Sequence, residues 1–194
     1  MTKNPCMLLC AVAALACGAA PGTGEAEPGE GNNAPSLASR SEPRRPAPAF
    51  EVAKLGGGQV ALAELAGKVV VIDFWATWCA PCVDTVPVLN AFFDAHREDG
   101  DVAVFGVSVD DAGEEIVAEW VAEQSVRYPT LLSDIDLSQR YGAIGFPATF
   151  IIAPDGSIED LHVGSLDLAE LEASLAAARA YQAALDRAKT RGPS

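Results

Sequence analysis

The stretch Val69-Val70-Val71-Ile72-Asp73-Phe74-Trp75-Ala76-Thr77-Trp78-Cys79-Ala80-Pro81-Cys82 decides how this chain folds. Its first half is apolar at every position but Asp73, the pattern of a strand buried on both faces rather than one of alternating polarity. Its second half closes on Cys-x-x-Cys, and residues 81–96 read as the helix that follows. Pro87 falls inside that helix and is expected to kink it, because its nitrogen has no hydrogen to donate to the preceding turn. Two cysteines so spaced at a strand-to-helix junction make a redox-active dithiol. Cys79 then sits at the helix N-terminus, where the dipole and unpaired N–H groups favour the thiolate, the species that attacks disulfides. Cys82 lies one turn on, close enough to close a ring. Zinc would need four ligands, and the rest of the domain offers only His96 and His162. A purely structural disulfide with so short a loop would remove little unfolded-state entropy.

Outward from this stretch, the texture is that of one domain. Residues 50–62 read as a β-hairpin turning at Gly56-Gly57-Gly58, and residues 62–67 as a short helical turn closed by Gly67. Residues 101–109 form a second buried strand. Residues 114–124 are an amphipathic helix with Ile116/Trp120 and Val117/Val121 four apart. A short strand over 128–132 and a short helix over 136–141 follow. Residues 148–153 and 157–163 make a hairpin around Pro154-Asp155-Gly156. Residues 167–189 close the domain as a helix, opened by the capping-box signal Asp167-Leu168-Ala169-Glu170. Its stripe Leu168, Leu171, Leu175, Ala178, Leu185 faces the sheet.

The N-terminal 48 residues have another character. Lys3 precedes an apolar run from Cys6 to Cys17, the length of a signal-peptide core and too short to span a bilayer. Ala14-Leu15-Ala16-Cys17-Gly18 resembles a bacterial lipobox, in which Cys17 carries lipid and becomes the mature N-terminus; cleavage at an Ala-x-Ala site, as in Ala14-Leu15-Ala16, is the alternative. Either places the mature protein outside the cytoplasm. The expected division is a signal peptide with lipobox over 1–17, a disordered tether over 18–48, rich in Gly, Ala, Pro, Ser and Glu, and a folded domain over 49–190. Cys6 and Cys10 leave with the leader, so Cys79 and Cys82 remain for redox work. A lone Cys-x-x-Cys in an oxidising compartment stays oxidised unless a partner reduces it. The net charge of −14 argues against nucleic acid and against attraction to anionic lipid; a solvated acidic surface is its simplest meaning.

Residues 49–188 are similar to the TlpA and ResA group of membrane-anchored thioredoxin-like proteins. The resemblance rests on Leu62-x-x-Leu65-x-Gly67-Lys68 before the central strand, on Phe74-Trp75-Ala76-Thr77-Trp78-Cys79-Ala80-Pro81-Cys82, on Pro87, and on Tyr141-Gly142-Ala143-Ile144-Gly145-Phe146-Pro147-Ala148-Thr149-Phe150. It implies an α/β thioredoxin fold with an N-terminal β-hairpin and a central βαβ-type insertion between Asp110 and Leu132, its mixed sheet flanked by helices. It also implies a cis bond between Phe146 and Pro147, with the Phe146 backbone turned toward the dithiol to pair with an extended substrate. The chain departs from this group at two positions. Asp73 stands where many members have Asn, as in thioredoxins proper, where the carboxylate helps deprotonate the second cysteine. Thr85 stands where members often have Glu. A carboxyl buried in an apolar strand has a raised pKa and can carry protons near neutrality, so Asp73 is expected to take the acid–base role.

The expected site is therefore Cys79, Cys82 and Asp73 for chemistry, and Trp78, Phe146 and Pro147 for substrate contact, with Trp78 shielding the nucleophile. Phe74, Trp75 and Trp120 are core. Asp84 complements the helix dipole, and His96 is a surface residue near the helix end. The expected activity is reduction of disulfides in extracytoplasmic proteins, for example in cytochrome c maturation, fed by a thiol-reducing membrane electron donor. No organic cofactor is expected, since the chain has no glycine-rich nucleotide loop. Two further readings stay open: a disulfide oxidase or isomerase, and a copper(I) module using Cys79, Cys82 and His162. A peroxidase of the peroxiredoxin type is disfavoured, because Cys79 lacks a Pro-x-x-x-Thr-x-x-Cys setting.

Overall fold

The structure, a computed structural model, describes residues 44–191. The leader, Cys17 and residues 18–43 of the tether lie outside the described residues. Strands β1 (Glu51–Lys54), β2 (Gln59–Ala61), β3 (Val69–Trp75), β4 (Val102–Ser108), β5 (Thr130–Leu132), β6 (Ala148–Ile152) and β7 (Ile158–Val163) form one mixed sheet in the order β2-β1-β5-β4-β3-β6-β7. Helices α1 (Val86–His96), α2 (Glu114–Glu123), α3 (Ile135–Tyr141) and α4 (Leu168–Arg191) flank it.

Strand β3 is the axis of the sheet, and all seven of its residues are buried. It runs parallel to β4, with Val69 opposite Val102 and Trp75 opposite Ser108, and antiparallel to β6, with Val70 opposite Ile152 and Phe74 opposite Ala148. A central strand with both faces covered must be apolar throughout, and the sequence supplies that. Val69 and Val71 on one face pack with Leu89 and Phe92 of α1 and Leu171 and Leu175 of α4. Ile72 and Phe74 on the other pack with Leu137 and Tyr141 of α3 and Phe150 of β6. The Phe74 ring lies 5.4 Å from that of Tyr141 and 5.8 Å from that of Phe150, in tilted and edge-on arrangements that aromatic rings favour. Trp75 stacks on Trp120 at 4.1 Å.

The helix expected over 81–96 is two elements. Ala80–Asp84 is a 3₁₀ turn capped by Cys79, and α1 begins only at Val86. Pro87 does not kink a helix. It sits in the first turn of α1, where the N–H it lacks has no intrahelical acceptor to lose.

The insertion between β4 and β6 is where the fold closes on itself. Strand β5 pairs parallel with β4 and antiparallel with β1, so the inserted segment joins the N-terminal hairpin to the sheet. The hairpin turns on Gly56, Gly57 and Gly58, all with positive φ, which only glycine adopts without cost. The folded chain also begins earlier than Ala49. Pro46 bridges Ser157, the Ala47 N–H donates to the Gly156 carbonyl at 2.9 Å, and Arg45 accepts from the Ile158 N–H at 2.8 Å. Residues 44–48, read from sequence as the end of the tether, thus lie along β7. Helix α4 opens with a reciprocal capping box: Glu170 N–H donates to Asp167 Oδ1 at 2.8 Å, and Asp167 N–H to Glu170 Oε2 at 3.1 Å. Its buried stripe is Leu171, Leu175 and Ala178, while Leu168 remains exposed in the first turn. No helix among the described residues is long and apolar enough to cross a membrane.

Candidate active site

Cys79 and Cys82 are joined as a disulfide at the C-terminal end of β3. The turn between them is set by backbone bonds: Cys79 N–H donates to Ala76 at 3.0 Å, and Cys82 N–H to Cys79 at 3.1 Å. Both cysteines are buried, yet Trp78 beside them is 63% exposed. Its indole meets the Phe146 ring edge-on at 5.9 Å. The Phe146–Pro147 bond is cis. Strand β6 starts directly after it, opposite Phe74, which brings Phe146 and Pro147 to the end of the sheet that carries the cysteines. Ile144, two residues before Phe146, is 90% exposed. A cleft of about 330 Å³ opens beside Trp78, between Asp110 and Asp111 after β4 and Asp134 and Ile135 at the start of α3.

Asp110 holds the loop that delivers Cys79. Its carboxylate accepts from Thr77 N–H at 2.9 Å, from Thr77 Oγ1 at 2.7 Å and from Ser108 Oγ at 2.8 Å. Sequence reasoning missed this residue. The signal was its place: a carboxylate just past a central strand, at the sheet end where the redox loop emerges.

Asp73 lies on the α1 and α4 face of β3, 1% exposed. Burial pushes its carboxyl up to about 7, and hydrogen bonds from Thr149 and Thr85 work in the opposite direction. Thr149, its register partner on β6, donates to Oδ1 at 2.8 Å. Within the redox turn the Thr85 hydroxyl donates to the Cys82 carbonyl at 2.9 Å. A carboxyl that exchanges its proton near neutrality, on the strand that leads into the redox turn, is equipped for acid–base work. Neither threonine was singled out as a partner of Asp73 from the sequence.

His162 does not join the cysteines. Its Nε2 lies 3.3 Å from Ser174 Oγ and 3.5 Å from Asp160 Oδ2, on α4 and β7. Among the described residues no three His, Cys, Asp or Glu side chains converge as a metal set.

Residues 43–161 match the AhpC/TSA family. The chain belongs to that family. Within it the chain is similar to thiol-disulfide oxidoreductase ResA of Bacillus thuringiensis, 31% identical over 133 residues, 66% of this chain and 74% of the relative. It is also similar to the thiol:disulfide interchange protein DsbE of Pseudomonas fluorescens, 35% identical over 148 residues, 75% of this chain and 79% of the relative. Among solved structures, the thioredoxin domain of a thiol-disulfide oxidoreductase from Bacteroides vulgatus superposes with a TM-score of 0.58 at 28% identity, covering 66% of this chain and 94% of that domain. This AhpC/TSA family member thus has a thioredoxin-like fold, and the chemistry it shares with these relatives is thiol–disulfide exchange.

Proposed function

We propose that the protein reduces disulfides in extracytoplasmic protein substrates, held at the membrane by lipid on Cys17 and recharged by a thiol-reducing membrane donor. The observation that carries the reading is the Cys79–Cys82 pair on a 3₁₀ turn at the end of β3, the strand that buries the neutral-range Asp73 carboxyl. In the reduced protein the Cys79 thiolate attacks one substrate sulfur. The substrate disulfide breaks, its other sulfur leaves as thiolate, and a mixed disulfide forms. Asp73 takes the Cys82 proton. The Cys82 thiolate then attacks Cys79 Sγ, the second substrate sulfur leaves, and the internal disulfide is restored. Two electrons pass to the substrate, whose two thiolates take up two protons. The dithiol is the whole redox centre in this scheme, with no organic cofactor. Trp78, Phe146 and Pro147 form the contact surface, and the acidic chain favours substrates with basic residues around the disulfide.

The scheme predicts that Cys82→Ser, supplied reduced, accumulates mixed disulfides through Cys79, while Cys79→Ser accumulates none. A reduction potential at or below about −230 mV fits a reductant, and one of about −120 to −180 mV would reverse the direction to oxidase or isomerase. The first substrate to assay is an apocytochrome c with its haem-binding cysteines oxidised. Failure to accelerate its reduction over a model protein disulfide would remove the cytochrome c role and leave the general one.

A further inference from the structure

The loop that ends in the cis-proline has little of its own to hold it. Residues 142–146 run from the end of α3 to Pro147, with glycine at 142 and 145. Ile144 between them is 90% exposed, and a Cβ on Gly145 would meet nothing within 4 Å. Ala143 and Phe146 give the loop its partial contact with the core. A segment with so few buried contacts takes its shape from its two ends. The Pro147 end is fixed by β6, whose Ala148 lies opposite Phe74. The other end is the last turn of α3.

The last turn of a helix leaves backbone carbonyls without helical partners. Gly142 N–H serves the Gln139 carbonyl at 2.9 Å, and Ala143 N–H the Ser138 carbonyl at 3.0 Å. The Tyr141 carbonyl, the last before the loop, accepts from the Arg45 guanidinium. A cation there also complements the negative end of the helix. The guanidinium lies against Gly142, where a Cβ would stand 3.6 and 3.7 Å from its two terminal nitrogens. Two more bonds join the same turn to the same segment. The Tyr141 hydroxyl donates to the Pro48 carbonyl at 2.8 Å, and Arg140 to the Ala49 carbonyl at 3.0 Å. On its other side the segment is fixed to the β6–β7 hairpin: Ile158 N–H donates to the Arg45 carbonyl at 2.8 Å, and Ala47 N–H to the Gly156 carbonyl at 2.9 Å.

We propose that residues 45–49 are a strap that holds the cis-proline loop in place for substrate, and that Arg45 is its positioning residue, acting through the Tyr141 carbonyl and Gly142 rather than on the reacting sulfurs. This rests on the reading that Phe146 and Pro147 receive the substrate.

The test compares two disulfides with the reduced full chain: insulin, a protein disulfide that must seat on the loop, and dithiobisnitrobenzoate, a small aromatic disulfide that need only reach Cys79. Arg45→Ala is expected to slow reduction of insulin about tenfold while the rate on the small disulfide stays within about twofold. Arg45→Lys keeps a cation able to donate to the Tyr141 carbonyl, so it should recover most of the insulin rate. Equal losses on both disulfides, no loss on either, or Arg45→Lys no better than Arg45→Ala would overturn the proposal. Should Arg45→Ala not fold, Tyr141→Phe removes only the bond to Pro48 and is read by the same two rates: a loss confined to insulin upholds the strap, and an equal or absent loss overturns it. An unaltered chain that reduces no insulin would sink the reductase reading instead. Amide NMR spectra of the oxidised full chain then judge the strap alone, since the signals of residues 144–146 should move in Arg45→Ala, and an unmoved set would overturn it.

Discussion

Asp73 holds its proton to about pH 7 because the sheet and α1 strip it of water faster than two threonine hydroxyls can compensate. An unfolded aspartate releases its proton near 3.8, so folding takes up a proton between those values. The associated stability is complete below pH 3.8 and is lost as pH climbs to about 7. At 1.36 kcal/mol per unit the span is worth on the order of 4 kcal/mol. Asp73→Asn cannot ionise, so in denaturant titrations it should gain on the unaltered protein by several kcal/mol between pH 4 and pH 8. Gly106 is the second residue with a cost attached. A Cβ there would stand 2.7 Å from Trp75 Nε1 and 2.9 Å from the Tyr128 ring. Gly106→Ala should therefore lower stability by about 2 kcal/mol, read from the denaturation midpoint. Asp73 was legible in the sequence because a lone charge in an apolar strand is conspicuous. Gly106 was not, because its neighbours arrive from elsewhere in the chain.

Helix α1 ends in a clasp rather than on an open surface. His96 Nδ1 lies 2.8 Å from Asp99 and Nε2 2.9 Å from Glu172 of α4. Arg179 of α4 adds bonds to Asp99 and Asp101 in the loop between α1 and β4. Burial disfavours the His96 charge, but the two carboxylates outweigh it and raise the pKa above the usual 6.5. A raised base stabilises the fold below its unfolded pKa, and that gain is lost as pH rises through the folded one. His96→Gln should cost on the order of 1 kcal/mol at pH 5.5 and less at pH 8.5, by denaturant titration at each pH. The sequence reading placed all four α-helices of the described residues, two of them by periodicity, but it read the redox turn and α1 as one. Proline at a helix start and proline within a helix look alike until the neighbouring turn is seen.

Across the folded domain, residues 44–49 are tied to β7, α3 and α4. Arg44 pairs with Glu159, whose side chain is 2% exposed, and its guanidinium lies 3.6 Å from the centre of the Tyr181 ring. Arg140 donates to the Ala49 carbonyl at 3.0 Å, and the Tyr141 hydroxyl to Pro48 at 2.8 Å. Arg44→Ala removes an ion pair and a cation–π contact together and should lower the stability of the folded domain by about 2 kcal/mol, measured by denaturant titration.

The sequence by itself determined the central strand, the dithiol, the buried carboxyl and the order of elements, and the family resemblance added the proline loop. Each is a local signal: a run of apolar residues, a spacing, a capping pair. Only the tertiary structure decided what surrounds them. It set Asp110 beneath Thr77, Thr149 against Asp73, β5 beside β1, His96 against Glu172, and Arg44 against Glu159. Hydrogen bonds and ion pairs join atoms within a few ångströms across dozens of residues of chain, and composition and periodicity carry no record of that proximity.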